Sequence, residues 1–169
     1  MKYDPNTHHR HSVRLPTYDY RQPGAYFVTV VCRERALLLE DPSYREIVGQ
    51  AWLWLASQYE YVVLDQYVIM PNHLHGIVFI RDPGRGGSRT APTDGDKRKP
   101  LGRLVGAFKT VSTKRINQMR RTPGLPVWQR NYYEHVIRDE HELDRIRQYI
   151  IDNPACWETD PENPVHQPS

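Results

Sequence analysis

The sequence predicts an α+β fold, a ferredoxin-like βαββαβ antiparallel sheet with one additional helix near the C-terminus. Three observations predict this fold. The 169 residues are the length of a single domain. Segments rich in β-branched and aromatic residues alternate with segments whose apolar residues recur at helical spacing. Two of the strand-like segments are separated only by Pro71-Asn72, a pair typical of a tight turn.

The first half of the chain contains three predicted strands and one predicted helix. A strand covers Tyr26 to Arg33, directly after Gly24. Asp41-Pro42-Ser43 opens a helix that extends to about Tyr59. Strands at 62–70 and 73–80 form a hairpin, and the second is apolar on both faces, which predicts a central place in the sheet.

The second half contains two predicted helices with a strand between them. Residues 101–121 form a basic amphipathic helix, and the segment 127–138 ends as a strand. A last helix extends from Glu140 to about Asn153, because Asp139 supplies an N-cap and Glu142 a capping-box partner.

These elements predict one domain with extensions. We expect an extended basic arm over residues 1–24, a single domain over 25–154 and a polar tail over 155–169, disordered after Trp157. Within the domain, the glycine- and proline-rich segment 81–100 is expected to be a mobile basic loop.

Charge is strongly segregated along the chain. Residues 81–121 carry a net charge of +9 and the remainder −6, within a total of +3. Such a basic segment predicts contact with a polyanion, although a solvated helix surface is the simpler interpretation of any basic run. The candidate DNA contacts on the basic helix are Arg103, Lys109, Lys114 and Arg115.

The cysteine content and the hydropathy of the chain argue against two classes of protein, disulfide-rich proteins and membrane-spanning proteins. Two cysteines outside any C-x-x-C pair predict free thiols in a reducing compartment. No segment approaches the roughly 18 apolar residues of a membrane span. We therefore expect a cytoplasmic protein without a membrane partner.

His73 and His75 are the first candidates for chemistry. Two residues apart on a strand, they project from the same face. Two imidazoles so placed can chelate a divalent ion and leave positions open for other ligands. The alternative is a pair of ordinary strand histidines.

The last helix presents Tyr149 and Asn153 one turn apart on the same strip. Packing in the core and an amide at a helix end are the structural alternatives for these two residues. Tyr132 and Tyr133 are alternatives to Tyr149 as the reactive tyrosine. Both precede the last helix, and neither is followed by an amide side chain four residues later.

Several blocks of sequence resemble one protein family. His73-Leu-His75 resembles the motif of the HUH nucleases, and Tyr149 to Pro154 resembles the tyrosine helix of their single-tyrosine transposases. The chain as a whole, from about Tyr3 to Pro154, resembles the REP-associated tyrosine transposases. This closer resemblance rests on residues 14–20 with 25–29, on 70–76 and on 127–138.

The resemblance implies a specific activity. Tyr149 would attack single-stranded DNA at hairpins of palindromic repeats, forming a 5′-phosphotyrosine that a second strand's 3′-OH can reverse. His73, His75 and Asn153 would hold Mg²⁺ or Mn²⁺, and no nucleotide cofactor is needed because the intermediate retains the bond energy. Such a protein could act as a monomer or a homodimer.

Two other function classes remain open from the sequence. The first is a module that binds hairpin DNA or RNA without cutting it. The second is a metal hydrolase using His73, His75 and His135, with no covalent intermediate. His135 itself could lie near the metal or orient a phosphate, or it could be a strand histidine hydrogen-bonded to the backbone.

Overall fold

The computed structural model describes residues 17–82 and 98–166. Most of the expected N-terminal arm and of the loop 81–100 lies outside the described residues. In the described part of the chain, the strands are β1 (Gly24–Val31), β2 (Val62–Met70), β3 (His73–Ile80) and β4 (Tyr133–Ile137). These four strands form one antiparallel sheet of order β2-β3-β1-β4.

Three α-helices cover the sheet. They are α1 (Pro42–Gln58), α2 (Leu101–Arg120) and α3 (Glu140–Asp152). This order confirms the predicted ferredoxin-like fold with its extra helix, and β3 takes the predicted central place between β2 and β1. None of these helices combines the length and the apolar character needed to cross a bilayer.

The two faces of the sheet have separate cores. One contains Tyr26 and Leu74 of the sheet with Trp52 of α1 and Phe108 of α2. The other contains Phe27 and Ile77 with the apolar side chains of α3. Because side chains alternate along a strand, the odd-numbered residues of β3, including both histidines, face α3.

Helix starts follow the predicted capping chemistry. Asp41 Oδ1 accepts a hydrogen bond from the Ser43 amide at 2.8 Å, and Asp139 Oδ1 accepts one from the Glu142 amide at 2.8 Å. The Glu142 carboxylate differs from the predicted capping box. In a capping box it would accept from the amide of the N-cap Asp139, but here it accepts from the amide of Arg138, one residue earlier.

Two expectations differ from the structure. β1 ends at Val31 rather than Arg33, because the chain turns at Glu34 and Arg35, which both have positive φ. The tail after Trp157 is expected to be disordered, but its described residues 158–166 have a defined structure that includes the end of one short 3₁₀ helix and the whole of another. Asp160, Glu162 and Asn163 are buried there, which the polar composition of the tail did not indicate.

Candidate metal and nucleophile site

His73 and His75 lie side by side in the centre of the sheet. Both are buried, and their Nε2 atoms are 3.0 Å apart. Their Cα partners on β1 are Val31 and Thr29. The strand therefore places two imidazole nitrogens at one point of the α3 face, as the sequence predicts.

The remaining ring nitrogens are held by neighbouring oxygens. Asn72 Oδ1 lies 2.8 Å from His73 Nδ1, and Thr29 Oγ1 lies 2.7 Å from His75 Nδ1. The Asn72 amide nitrogen donates to the carbonyls of Arg35 and Glu162, so its oxygen must face His73. His73 Nδ1 is then the donor, and its Nε2 keeps a lone pair for a cation when the ring is neutral.

Tyr149 of α3 faces this pair. Its hydroxyl oxygen lies 3.4 Å from His75 Nε2, and its ring packs edge-on against Phe27 with centroids 6.0 Å apart. Burial raises the pKa of the Tyr149 hydroxyl, and the Asp160 carboxylate raises it further. The hydroxyl is therefore protonated near neutral pH, and a positive charge is needed to make it a nucleophile.

Asn153 follows α3 directly and is also buried. Its side chain bonds to Tyr149, which lowers the pKa of the tyrosine against the larger effect of burial. Its Oδ1 has no hydrogen-bond partner among the described residues. A buried carbonyl oxygen without a donor is costly, and a cation would satisfy it.

Asp160 of the tail completes the group, and sequence reasoning missed it. Its Oδ2 lies 3.7 Å from His73 Nε2, and its Oδ1 accepts from the Glu162 amide at 2.8 Å. Burial raises the pKa of Asp160. The one available signal was the Asp-Pro-Glu sequence, which favours the turn that orients this carboxylate.

These residues could hold a metal ion. His73, His75 and Asp160 each offer a ligand atom, and these atoms lie within 4.8 Å of one another. The donor set of two imidazoles and a carboxylate, with a free amide oxygen beside it, suits a divalent cation that accepts nitrogen and oxygen ligands. The residues present therefore fit the metal that the family resemblance implies.

Three other candidate residues lie outside this group. His135 Nε2 is 2.6 Å from Glu142 Oε1, and Tyr132 donates to Glu134 at 2.5 Å. Tyr133 packs against Phe27, with ring centroids 6.2 Å apart. A hydrolase built on His73, His75 and His135 thus lacks its third histidine among the donor atoms that the described residues bring together.

Glu142 carries a charge that these contacts stabilise. Burial acts to raise the pKa of its carboxyl, but the bonds from the Arg138 amide and from His135 outweigh burial and lower it. His135 is therefore better described as a residue that ties β4 to the start of α3.

The four candidate DNA contacts all lie on α2, on the opposite face of the sheet from Tyr149. Arg103 and Lys114 are exposed, and Arg115 is half-buried. Lys109 is different, because its ammonium donates to the backbone carbonyls of residues 129, 130 and 131 at 2.9, 3.3 and 3.0 Å. Burial lowers the pKa of Lys109 to about 8. Lys109 thus braces a loop, unlike the other three candidates.

Comparisons with known proteins identify relatives of this chain. No protein-family model matches it. An uncharacterized protein of Haemophilus influenzae is 35% identical over 175 residues, covering 94% of this chain and 96% of that protein. A REP-associated tyrosine transposase, solved bound to a REP hairpin, is 23% identical with a TM-score of 0.57, over 79% of this chain and 68% of that one. A Deinococcus radiodurans protein described as a transposase is 16% identical with a TM-score of 0.44, over 78% of this chain and 91% of that one.

Proposed function

We propose a function from two premises: this chain belongs to one family with the Haemophilus influenzae protein, and it has the fold of a REP-associated tyrosine transposase. The function is metal-dependent cleavage and rejoining of single-stranded DNA at hairpin-forming palindromic repeats. Tyr149 is the proposed nucleophile. The observation that carries the proposal is the Tyr149 hydroxyl 3.4 Å from His75 Nε2, beside a second imidazole and a carboxylate.

Two roles follow for the residues of the site. Tyr149 Oη forms a bond to the phosphorus while the bond to the 3′-oxygen breaks, which leaves a 5′-phosphotyrosine and a free 3′-OH. Attack by another 3′-OH reverses the step, so the tyrosine is released when new ends are joined. Phe27 packs on the tyrosine ring and restrains the direction in which the hydroxyl points.

A divalent cation, Mg²⁺ or Mn²⁺, is part of the proposal. His73 and His75 would hold it through Nε2, with Asn153 Oδ1 as the third protein ligand and Asp160 as an additional oxygen. When bound, such an ion polarises the phosphoryl oxygen and stabilises the charge that develops on it. Burial raises the pKa of Tyr149, and a nearby cation would offset this effect by favouring the ionised hydroxyl.

The proposed substrate follows from charge and from the structural relative. That relative is a protein bound to a REP hairpin, and we propose a hairpin with single-stranded flanks as the substrate here. Arg103, Lys114 and Arg115 are the proposed phosphate contacts on α2.

Covalent trapping tests this function. Purified protein is incubated with labelled hairpin DNA and Mn²⁺ or Mg²⁺, then analysed by denaturing electrophoresis. Wild type should give a covalent protein–DNA band that is absent in Tyr149→Phe and His73→Ala and present in Tyr133→Phe, the matched control. Cleavage without an adduct would indicate a hydrolase instead. Binding without cleavage would indicate a non-cleaving module.

A further inference from the structure

A pocket outside the metal site lies between the C-terminal half of α2 and the loop that follows it. The pocket has a volume of about 750 Å³ and is broadly open to solvent. Its walls come from residues of α2 between 109 and 118, from Arg121 just after the helix, and from loop residues 123–130. The proposed cleavage mechanism makes no use of this space.

The pocket is positively charged. Its lining includes Lys109, Lys114, Arg121 and Arg130, and no acidic side chain belongs to it among the residues that the structure describes. Lys109 is turned to the loop carbonyls, but Lys114, Arg121 and Arg130 are exposed. Three cations at the rim of a concave surface form an attractive site for phosphates.

The wall opposite α2 is a hydrogen-bonded turn that is tied to the helix. Pro123 and Gly124 occupy a turn closed by a hydrogen bond of 3.2 Å from the Leu125 amide to the Thr122 carbonyl, and Gly124 has the positive φ of +79° that such a turn requires. The Leu125 carbonyl accepts from Asn117 Nδ2 of α2 at 2.8 Å. The loop is thus tied to the helix, so a ligand would not have to order it.

The interior of the pocket suits a flat, partly polar ring. Leu125 exposes 47% of its surface, and the nearly buried Trp128 belongs to the lining. Gln118 and Gln129 add amide groups that both donate and accept hydrogen bonds. An aliphatic side chain can cover the face of an unpaired nucleobase by apolar contact, and amides can hydrogen-bond its edge.

The pocket lies at the same end of the sheet as His73. The Gln129 amide donates to the Val31 carbonyl at 2.9 Å, and Val31 is the Cα partner of His73 on β3. Adjacent strands are about 4.8 Å apart, so the lining comes within about 10 Å of the His73 backbone. A DNA strand would pass round the end of β1 from one face of the sheet to the other.

We propose that this pocket binds one unpaired nucleobase of single-stranded DNA, a few nucleotides from the phosphate that Tyr149 attacks. The apolar wall at Leu125 packs on the base, and Lys114, Arg121 and Arg130 contact the adjoining phosphates. This inference rests on the proposed function for the identity of the strand. It assigns base selection to the loop after α2, separately from the chemistry at the metal site.

Abasic scanning tests the proposal by equilibrium binding. Each unpaired position of the hairpin DNA is replaced in turn by an abasic nucleotide, and affinity is measured on a Tyr149→Phe background with Mn²⁺, so that the strand is not consumed. One position should lose about 3- to 10-fold in affinity, the effect of covering the exposed half of one leucine side chain. Leu125→Ala should reduce that loss to within about twofold, and Leu53→Ala, a similarly exposed leucine on α1, should leave it unchanged.

Salt dependence supplies the second measurement. Lys114→Gln should weaken all strands alike and reduce the salt slope by about one. Two results would overturn the pocket proposal and leave the cleavage proposal standing. One is an abasic loss of affinity that persists in Leu125→Ala. The other is a hairpin that binds equally well with an abasic nucleotide at every unpaired position. A penalty that Leu125→Ala removes, with no covalent adduct in wild type, would support the pocket and overturn the cleavage proposal. Absence of hairpin binding would overturn both.

Discussion

Gly76 on β3 offers a quantitative test of the packing that holds the histidine strand. A Cβ atom at Gly76 would lie 2.4 Å from Cζ2 of Trp52, and 3.0 and 3.1 Å from its Cε2 and Cη2. Trp52 cannot move away freely, because it is fully buried and packs edge-on against Phe108 with centroids 5.4 Å apart. Gly76→Ala therefore forces the indole, or the strand itself, to shift.

Two opposing effects determine the size of the loss. Overpacking a core by one methyl group costs about 1–3 kcal/mol. Replacing a glycine reduces the entropy of the unfolded chain and returns about 0.4–1 kcal/mol. Overpacking is the larger effect, so the free energy of unfolding should fall by about 1–2 kcal/mol. For a domain of this size, that loss lowers Tm by about 2–8 °C.

Urea denaturation followed by circular dichroism measures this loss, with Gly106→Ala as the matched control. Gly106 lies in α2, and a Cβ atom added there would meet no described atom within 4 Å beyond its own helix backbone. The control should gain about 0.5–1 kcal/mol, because alanine is the better helix former. Trp52→Leu should make Gly76→Ala less costly, since the two residues share the contact. Equal stability of Gly76→Ala and wild type would refute the argument that this contact is tight.

Three further predictions concern single contacts. Thr29→Val removes the oxygen that holds His75 Nδ1, and should weaken Mn²⁺ binding about 10- to 100-fold by calorimetry. Lys109→Met leaves loop carbonyls without a donor, and should lower the free energy of unfolding by about 1–3 kcal/mol in urea without reducing the salt slope of DNA binding. Glu142 has a lowered pKa, so its contribution to stability is present above the ordinary glutamate pKa and is lost as pH falls through the lowered one. Glu142→Gln should therefore reduce stability at pH 7 and flatten the decline below about pH 4.3 in a pH series of melting curves.

Each of these variants has a control at a residue of the same type outside the contact. The controls are Thr110→Val for Thr29→Val, Lys114→Gln for Lys109→Met, and Glu140→Gln for Glu142→Gln. Unchanged metal affinity in the threonine variant would contradict the role of that oxygen in orienting the imidazole. A salt slope reduced as far in the Lys109 variant as in its control would show that this lysine contacts DNA. If Glu142→Gln loses stability at acid pH as steeply as wild type does, the assignment of a lowered pKa to Glu142 is wrong.

The fold could be predicted from the sequence because the signal for each element lies within a short segment of the chain. Alternation along β3 and the tight turn before it identified a hairpin, and Asp139 identified the start of α3. Apolar character on both faces identified β3 as a central strand. The end of β1 was misplaced by two residues, because the positive φ of Glu34 and Arg35 has no clear signal in those side chains.

Within the candidate site, the sequence by itself determined the pairs that one element carries. His73 and His75 share a face because a strand repeats every two residues, and Tyr149 and Asn153 adjoin because a helix turns every 3.6. These relations depend only on backbone geometry, so no tertiary contact is needed to predict them.

Only the tertiary structure decided which distant groups join those pairs. The tail brings Asp160 close to His73. The ammonium of Lys109 donates hydrogen bonds to the loop after α2, and His135 pairs with the carboxylate of Glu142. Each contact joins separate elements whose mutual position results from packing the whole core. A composition that is polar or rich in proline does not reveal such contacts, because the favourable energy comes from a neighbour that is remote in the chain.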